Sequence, residues 1–119
     1  MPISVELINS EKHPISIELV QKYLNFTLRQ LGLTDTLNIE LVIVNDQEMI
    51  ILNKKFRDQQ KTTDVLSFEN PTNKEILGSI VISYDTAKAQ AAQAGTDVND
   101  EVASLANHGL LHLLGYDHV

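Results

Sequence analysis

The run Asn38-Ile39-Glu40-Leu41-Val42-Ile43-Val44 limits what this chain can become more than any other stretch. It is rich in β-branched residues, whose stiff side chains suit a pleated strand better than a helix. Residues 41–44 are apolar without a break, so both faces of the strand must be covered. Such a strand sits at the centre of a sheet, with other elements packed above and below it.

The rest of the chain supplies those elements in order. Ile3-Ser4-Val5-Glu6-Leu7-Ile8 alternates apolar and polar residues and reads as a strand. Ser16 is an N-cap for a helix carrying Ile17, Val20, Leu24, Leu28 and Leu31 on one side, and Gly32 stops it. Asn45 followed by Glu48 resembles a capping box, which opens a second helix with Met49, Leu52 and Phe56 turned inward. Val65-Leu66-Ser67-Phe68 is a short third strand, Pro71-Thr72-Asn73-Lys74 a turn, and residues 76–82 a fourth strand that pairs with the third as a hairpin. Tyr84-Asp85 opens a helix dominated by Ala87, Ala89, Ala91, Ala92 and Ala94, a packing scaffold closed by Gly95. Asp97 caps the last helix, whose apolar side is Val98, Val102, Leu105, Ala106, Gly109, Leu110 and Leu113. The sum is an α+β fold with α/β-like layers: one mixed four-stranded sheet, about four helices, and a single domain over residues 1–119.

Chemistry concentrates at the end of the last helix. His108 and His112 are separated by four residues, so on a helix they leave one face about a turn apart and can reach a common point. Gly115 can take the left-handed conformation that reverses the chain, which would return His118 toward the other two rings. Two ligands on a rigid helix and one on the following turn make a tripod with an open fourth position, as catalytic Zn²⁺ requires. The flanking Leu110, Leu111, Leu113 and Leu114 predict a largely buried helix, where neighbouring buried imidazoles would be costly without a shared partner. Gly109 costs up to about 1 kcal/mol relative to alanine inside a helix, so a strand or a substrate is expected to come close there.

Composition narrows the alternatives. With no cysteine, a metal must be held by histidine or carboxylate, and disulfides, iron–sulfur clusters and a thiol nucleophile are excluded. Sixteen acidic against nine basic residues give a net charge of −7, which argues against general polyanion binding. Four of the nine, Lys54, Lys55, Arg57 and Lys61, nevertheless form a local basic strip opposed only by Asp58. A solvated helix end and a phosphate-binding strip explain that pattern equally well. No stretch has the length of a transmembrane span or the pattern of a secretion signal, so a cytoplasmic protein is expected, with neither membrane nor DNA as partner.

His108-Gly109-Leu110-Leu111-His112-Leu113-Leu114-Gly115-Tyr116-Asp117-His118 has the histidine spacing of the metzincin proteases, but Gly109 stands where those enzymes carry their glutamate base. The same residues resemble the YbeY family of bacterial ribosome-maturation proteins almost letter for letter. Residues 52–57, Thr63-Asp64-Val65-Leu66-Ser67-Phe68, and Gly78 with Ile80-Val81-Ile82 correspond in order to other blocks of that family. The resemblance implies a metal-dependent, single-strand-directed endoribonuclease acting in ribosomal RNA processing and ribosome quality control. It also implies Zn²⁺ or another divalent cation on His108, His112 and His118, and a functional arginine at Arg57. Expected partners are ribosomal RNA and the small ribosomal subunit, with a ribosomal protein or a GTPase beside them. Departures from the family pattern are Thr62 and Glu69 in place of flanking prolines, Phe56 for a tyrosine, Ser79 for an aspartate, and a chain end one residue after His118, where family members continue.

On these residues, a metal held by three neutral imidazoles would lower the pKa of bound water to ~7 and offer hydroxide to a phosphodiester. Arg57 would grip the phosphate. Asp117 could orient a ligand or only stabilise a turn, while Asp64 and Ser67 read as structural. Two rivals are a ribosome-associated assembly factor with a mainly structural metal, and a metzincin-like hydrolase with its base supplied from elsewhere.

Overall fold

The structure is a computed structural model and describes residues 3–33, 36–57, 63–69 and 76–116, with backbone alone at 56 and 57. Its elements are β1 (Ser4–Ile8), α1 (Ile17–Gln30), β2 (Asn38–Val44), α2 (Asp46–Arg57), β3 (Val65–Glu69), β4 (Gly78–Ser83), α3 (Tyr84–Ala94) and α4 (Val98–Leu113). The sheet order is β1-β2-β4-β3. β2 pairs in parallel with β1 and β4, and β3 pairs antiparallel with β4, so the sheet is mixed and the last two strands pair as the sequence predicts. The expected turn at 71–74 lies outside the described residues.

The continuous apolar run of β2 is explained by its place in the middle. Ile39, Leu41 and Ile43 face the larger core, where they meet Val20, Leu24 and Leu28 of α1 and Val102, Ala106 and Leu110 of α4. Val44 faces the opposite side and joins Met49 of α2, Leu66 and Val81, with Val42 and Leu52 packed against them. Two helices therefore cover one face and α2 covers part of the other.

Local signals begin and end these elements as expected. The Leu19 amide donates to Ser16 Oγ at 3.2 Å, the Glu48 amide to Asn45 Oδ1 at 2.8 Å, and the Asn99 amide to Asp97 Oδ1 at 2.8 Å. Two expectations are corrected. β4 begins at Gly78 rather than Ile76, because the Leu77 amide is already committed to the Asn38 carbonyl at 2.8 Å before the ladder starts. It also runs on to Ser83, whose hydroxyl accepts the Thr86 amide at 3.3 Å and caps α3. In α3 the scaffold is a narrow stripe: Tyr84, Ala87 and Ala91 are buried, whereas Ala89, Ala92 and Ala94 face solvent. Only positions at helical spacing can share one face.

Three polar contacts hold α1 and its approach against α4. The Ser16 amide donates to Asn99 Oδ1 at 3.0 Å, Tyr23 Oη to Asp100 Oδ1 at 3.1 Å, and Thr27 Oγ1 to Asn107 Oδ1 at 2.6 Å. The bond to the Asp100 carboxylate, with some burial and the nearby negative charge, holds the Tyr23 phenol above its ordinary pKa of 10.0. The unfolded chain thus loses this proton first. The contribution is full below pH about 10 and is lost as pH climbs through the raised folded-state value. Chemical denaturation from about pH 8 to about pH 11 should show stability falling at the alkaline end, and Tyr23→Phe should flatten that fall.

Candidate functional site

α4 lies on the sheet through Val102, Leu105, Ala106, Gly109 and Leu110, all buried. Gly109 is where the helix backbone comes closest. A Cβ at this position would stand 2.7 Å from Ile80 Cγ2 and 3.0 Å from Ser67 Oγ, so the element predicted to crowd this glycine is a pair of strands. Gly78 does the same from the other side, since a Cβ there would collide with the Phe68 carbonyl and with Leu113. Ser67 Oγ donates to the Gly109 carbonyl at 3.2 Å.

With that face of α4 pressed on the sheet, residues 108 and 112 are left on its flank. The two imidazoles meet there: Nε2 of His108 and Nε2 of His112 are 2.9 Å apart, with ring centroids at 4.6 Å and planes inclined by 52°. Both side chains are exposed, which corrects the expectation of buried rings. The leucines that prompted it lie on other sides of the helix: Leu110 is in the core, while Leu111, Leu113 and Leu114 are half-buried.

Nitrogens at this distance need one donor and one acceptor, so a direct contact demands complementary protonation of the two rings. A shared cation satisfies both at once. Ligands about 2.0–2.1 Å from a tetrahedral Zn²⁺ are separated by about 3.3 Å, close to the observed spacing, so the pair fits two positions of such a shell. Among the described residues no group of three His, Asp or Glu side chains forms a cation cage. The sequence-predicted third ligand, His118, and its neighbour Asp117 lie outside the described residues.

The pair stands at the wall of a cleft of about 760 Å³ whose opposite side is β3 and its approach, residues 63–69. The cleft ends at Leu113 and Gly115. Gly115 has φ +87°, and the Gly115 and Tyr116 amides bond to the His112 and Leu111 carbonyls at 3.0 and 2.9 Å. That double closure is the helix stop predicted from the glycine.

Asp64 and Ser67, read as structural from the sequence, both line the cleft and both also brace it. Asp64 Oδ2 accepts from Gln90 Nε2 of α3 at 3.3 Å, and Ser67 holds α4. Glu69 completes a lining with two carboxylates and, among the described residues, no lysine or arginine. Lys54 and Lys55 are exposed on α2 and are not part of the lining. The Arg57 backbone ends α2, and its side chain lies outside the described residues, as do Asp58 and Lys61. Sequence reasoning missed β3 as the wall. The available signal was the inward parity of Ser67, a hydroxyl on a side where strand neighbours are apolar.

The profile of the family described as endoribonuclease YbeY matches residues 6–119. A relative of that name from Aquifex aeolicus is 41% identical over 115 residues, covering 94% of this chain and 76% of the relative. Another, from Nautilia profundicola, is 54% identical over 87 residues, covering 72% and 62% respectively, and one from Desulforamulus reducens is 41% identical, covering 95% and 83%. The solution structure of TM1509 from Thermotoga maritima superposes with a TM-score of 0.60 at 24% identity, covering 98% of this chain and 75% of that one, which shows the fold. Among the described residues no helix is long and apolar enough to cross a membrane.

The packing at Gly109 carries a test of sign. Helix propensity alone would make Gly109→Ala stabilising by about 1 kcal/mol. Overpacking against Ile80 should reverse that, leaving a net loss of about 1–2 kcal/mol in urea denaturation.

Proposed function

Because this chain belongs to the endoribonuclease YbeY family, we propose that it is an endoribonuclease, a hydrolase of phosphodiester bonds in single-stranded RNA, with ribosomal RNA as its substrate. The supporting observation is the convergence of His108 Nε2 and His112 Nε2 at the wall of a cleft open along an edge strand. In this reading His108, His112 and His118 hold a divalent cation, Zn²⁺ in the first place. When bound, that cation supplies Lewis acidity and a water acidified to near neutral pH.

The chain's own residues supply the rest. α4 presents both imidazoles from a backbone fixed on the sheet, so little reorganisation is needed as ligands assemble. Asp64 and Glu69 make the lining unfavourable for phosphate, which a histidine-held cation offsets. Arg57 at the exit of α2 grips phosphate as a bidentate donor and stabilises charge on its oxygens. The proposed setting is the cytoplasm, at the small ribosomal subunit, in RNA maturation and quality control beside a ribosomal protein or a GTPase.

Protein loaded with one equivalent of Zn²⁺ should cleave a labelled single-stranded RNA and spare the corresponding duplex. His108→Ala and His112→Ala should reduce both cleavage and metal content to background while circular dichroism stays unchanged. Intact RNA with the loaded protein, or wild-type cleavage by His108→Ala, would sink the assignment. Unfolding on chelation together with inactivity would favour the assembly factor with a structural metal. For Arg57→Ala, the slope of log affinity for RNA against log salt should become shallower by about 0.7–1. An unchanged slope removes Arg57 from phosphate recognition.

A further inference from the structure

The structure assigns to Ser67 a positioning role: its hydroxyl bond to the Gly109 carbonyl sets how far the His108 and His112 rings stand from the β3 wall. The assignment rests on the histidine site proposed above. Along β3 the side chains alternate, with Leu66 and Phe68 joining the smaller core and Val65 and Ser67 turned toward α4. Ser67 therefore places a hydroxyl against the backbone of α4 and against Ile80, where a Cβ on residue 109 has no room.

The partner matters more than the bond. Gly109 lies between the two histidines, and a carbonyl with two lone pairs can accept a strand hydroxyl in addition to its helical amide. Apolar contacts such as Ile80 on Gly109 resist separation of helix and sheet, but they have no preferred direction along the surface. A hydrogen bond weakens steeply with angle, so Ser67 adds a directional constraint between α4 and the sheet, beside those that Ser16, Tyr23 and Thr27 supply from the α1 side. Rotation is the motion that would swing residues 108 and 112 toward or away from the cleft, because both project from the flank.

Ser67→Ala removes the hydroxyl and leaves the strand, while Ser67→Thr keeps a hydroxyl on a residue suited to strands. The unfolding midpoint of Ser67→Ala should fall by about 2–6 °C, as expected for one hydrogen bond in a domain of this size. A purely structural bond would do no more. For a positioning residue, Zn²⁺ affinity measured by competition with a chromophoric chelator should also fall about tenfold, and kcat on single-stranded RNA should fall similarly with KM unchanged. Ser67→Thr should restore both to within about threefold. A lowered midpoint with wild-type Zn²⁺ affinity and kcat overturns the role.

A readout free of metal and RNA separates this inference from the function it rests on. In metal-free protein the ring ¹H–¹³C resonances of His108 and His112 should move in Ser67→Ala and return in Ser67→Thr. If wild-type protein neither takes up Zn²⁺ nor cleaves RNA, the proposed function falls, and those resonances still decide whether Ser67 sets the ring positions. Unmoved ring resonances in Ser67→Ala reject it.

Discussion

The site depends on how closely the backbone of α4 approaches the β3–β4 pair. Gly109 gives up a side chain so that the helix can rest on Ile80, and Gly78 does so from the strand side, where Leu113 and the Phe68 carbonyl fill the space. The exposure of His108 and His112 on the flank of the helix, and the cleft between that flank and β3, both follow from this contact. Packing also bears on chemistry. Metzincin-like histidine spacing normally carries a glutamate at the second position of the motif, and here that position has no room even for a methyl group. The helix is barred from supplying a proton acceptor there by the same contact that places its histidines.

The mixed sheet separates charge as well as layers. α2, on one face, ends in exposed lysines, whereas the cleft beside α4 on the other face is walled by Asp64 and Glu69. A polyanion drawn to the basic helix end gains nothing from the described cleft lining until positive charge is present at the imidazoles.

Much of this was legible in the sequence because the decisive signals are local. The caps at Ser16, Asn45 and Asp97 and the stop at Gly115 act through bonds within a few residues of themselves. β2 announced its central place through apolar residues on both faces. What misled was content read without direction. Alanines made α3 read as packing scaffold without saying which of them pack, and only the Tyr84, Ala87 and Ala91 stripe meets the core, while leucines around His108 and His112 suggested burial although the rings lie on the exposed flank. Glycine 109 signalled a close neighbour, but no spacing rule could name Ile80 and Ser67 as that neighbour, since they are brought there by strand order. The β3 wall was illegible for the same reason: it is built by residues some forty positions before the histidines they face.

Ser79, which stands where the family pattern has an aspartate, shows how register decides the meaning of a substitution. Glu6, Glu40, Ser79 and Phe68 lie opposite one another across β1, β2, β4 and β3. This row belongs to the face on which α2 packs, because Ile80 and Ile82 point into the other core. Ser79 Oγ donates to Glu40 Oε1 at 2.7 Å, and Ser79 is not part of the cleft lining. A carboxylate at 79 would face Glu40 as a like charge, with Glu6 one strand further on, whereas a hydroxyl turns the same neighbour into a hydrogen-bond partner. The replacement therefore acts through the sheet beneath α2, on the side of the basic helix end, and leaves the geometry of the histidine pair to Gly109 and Ser67.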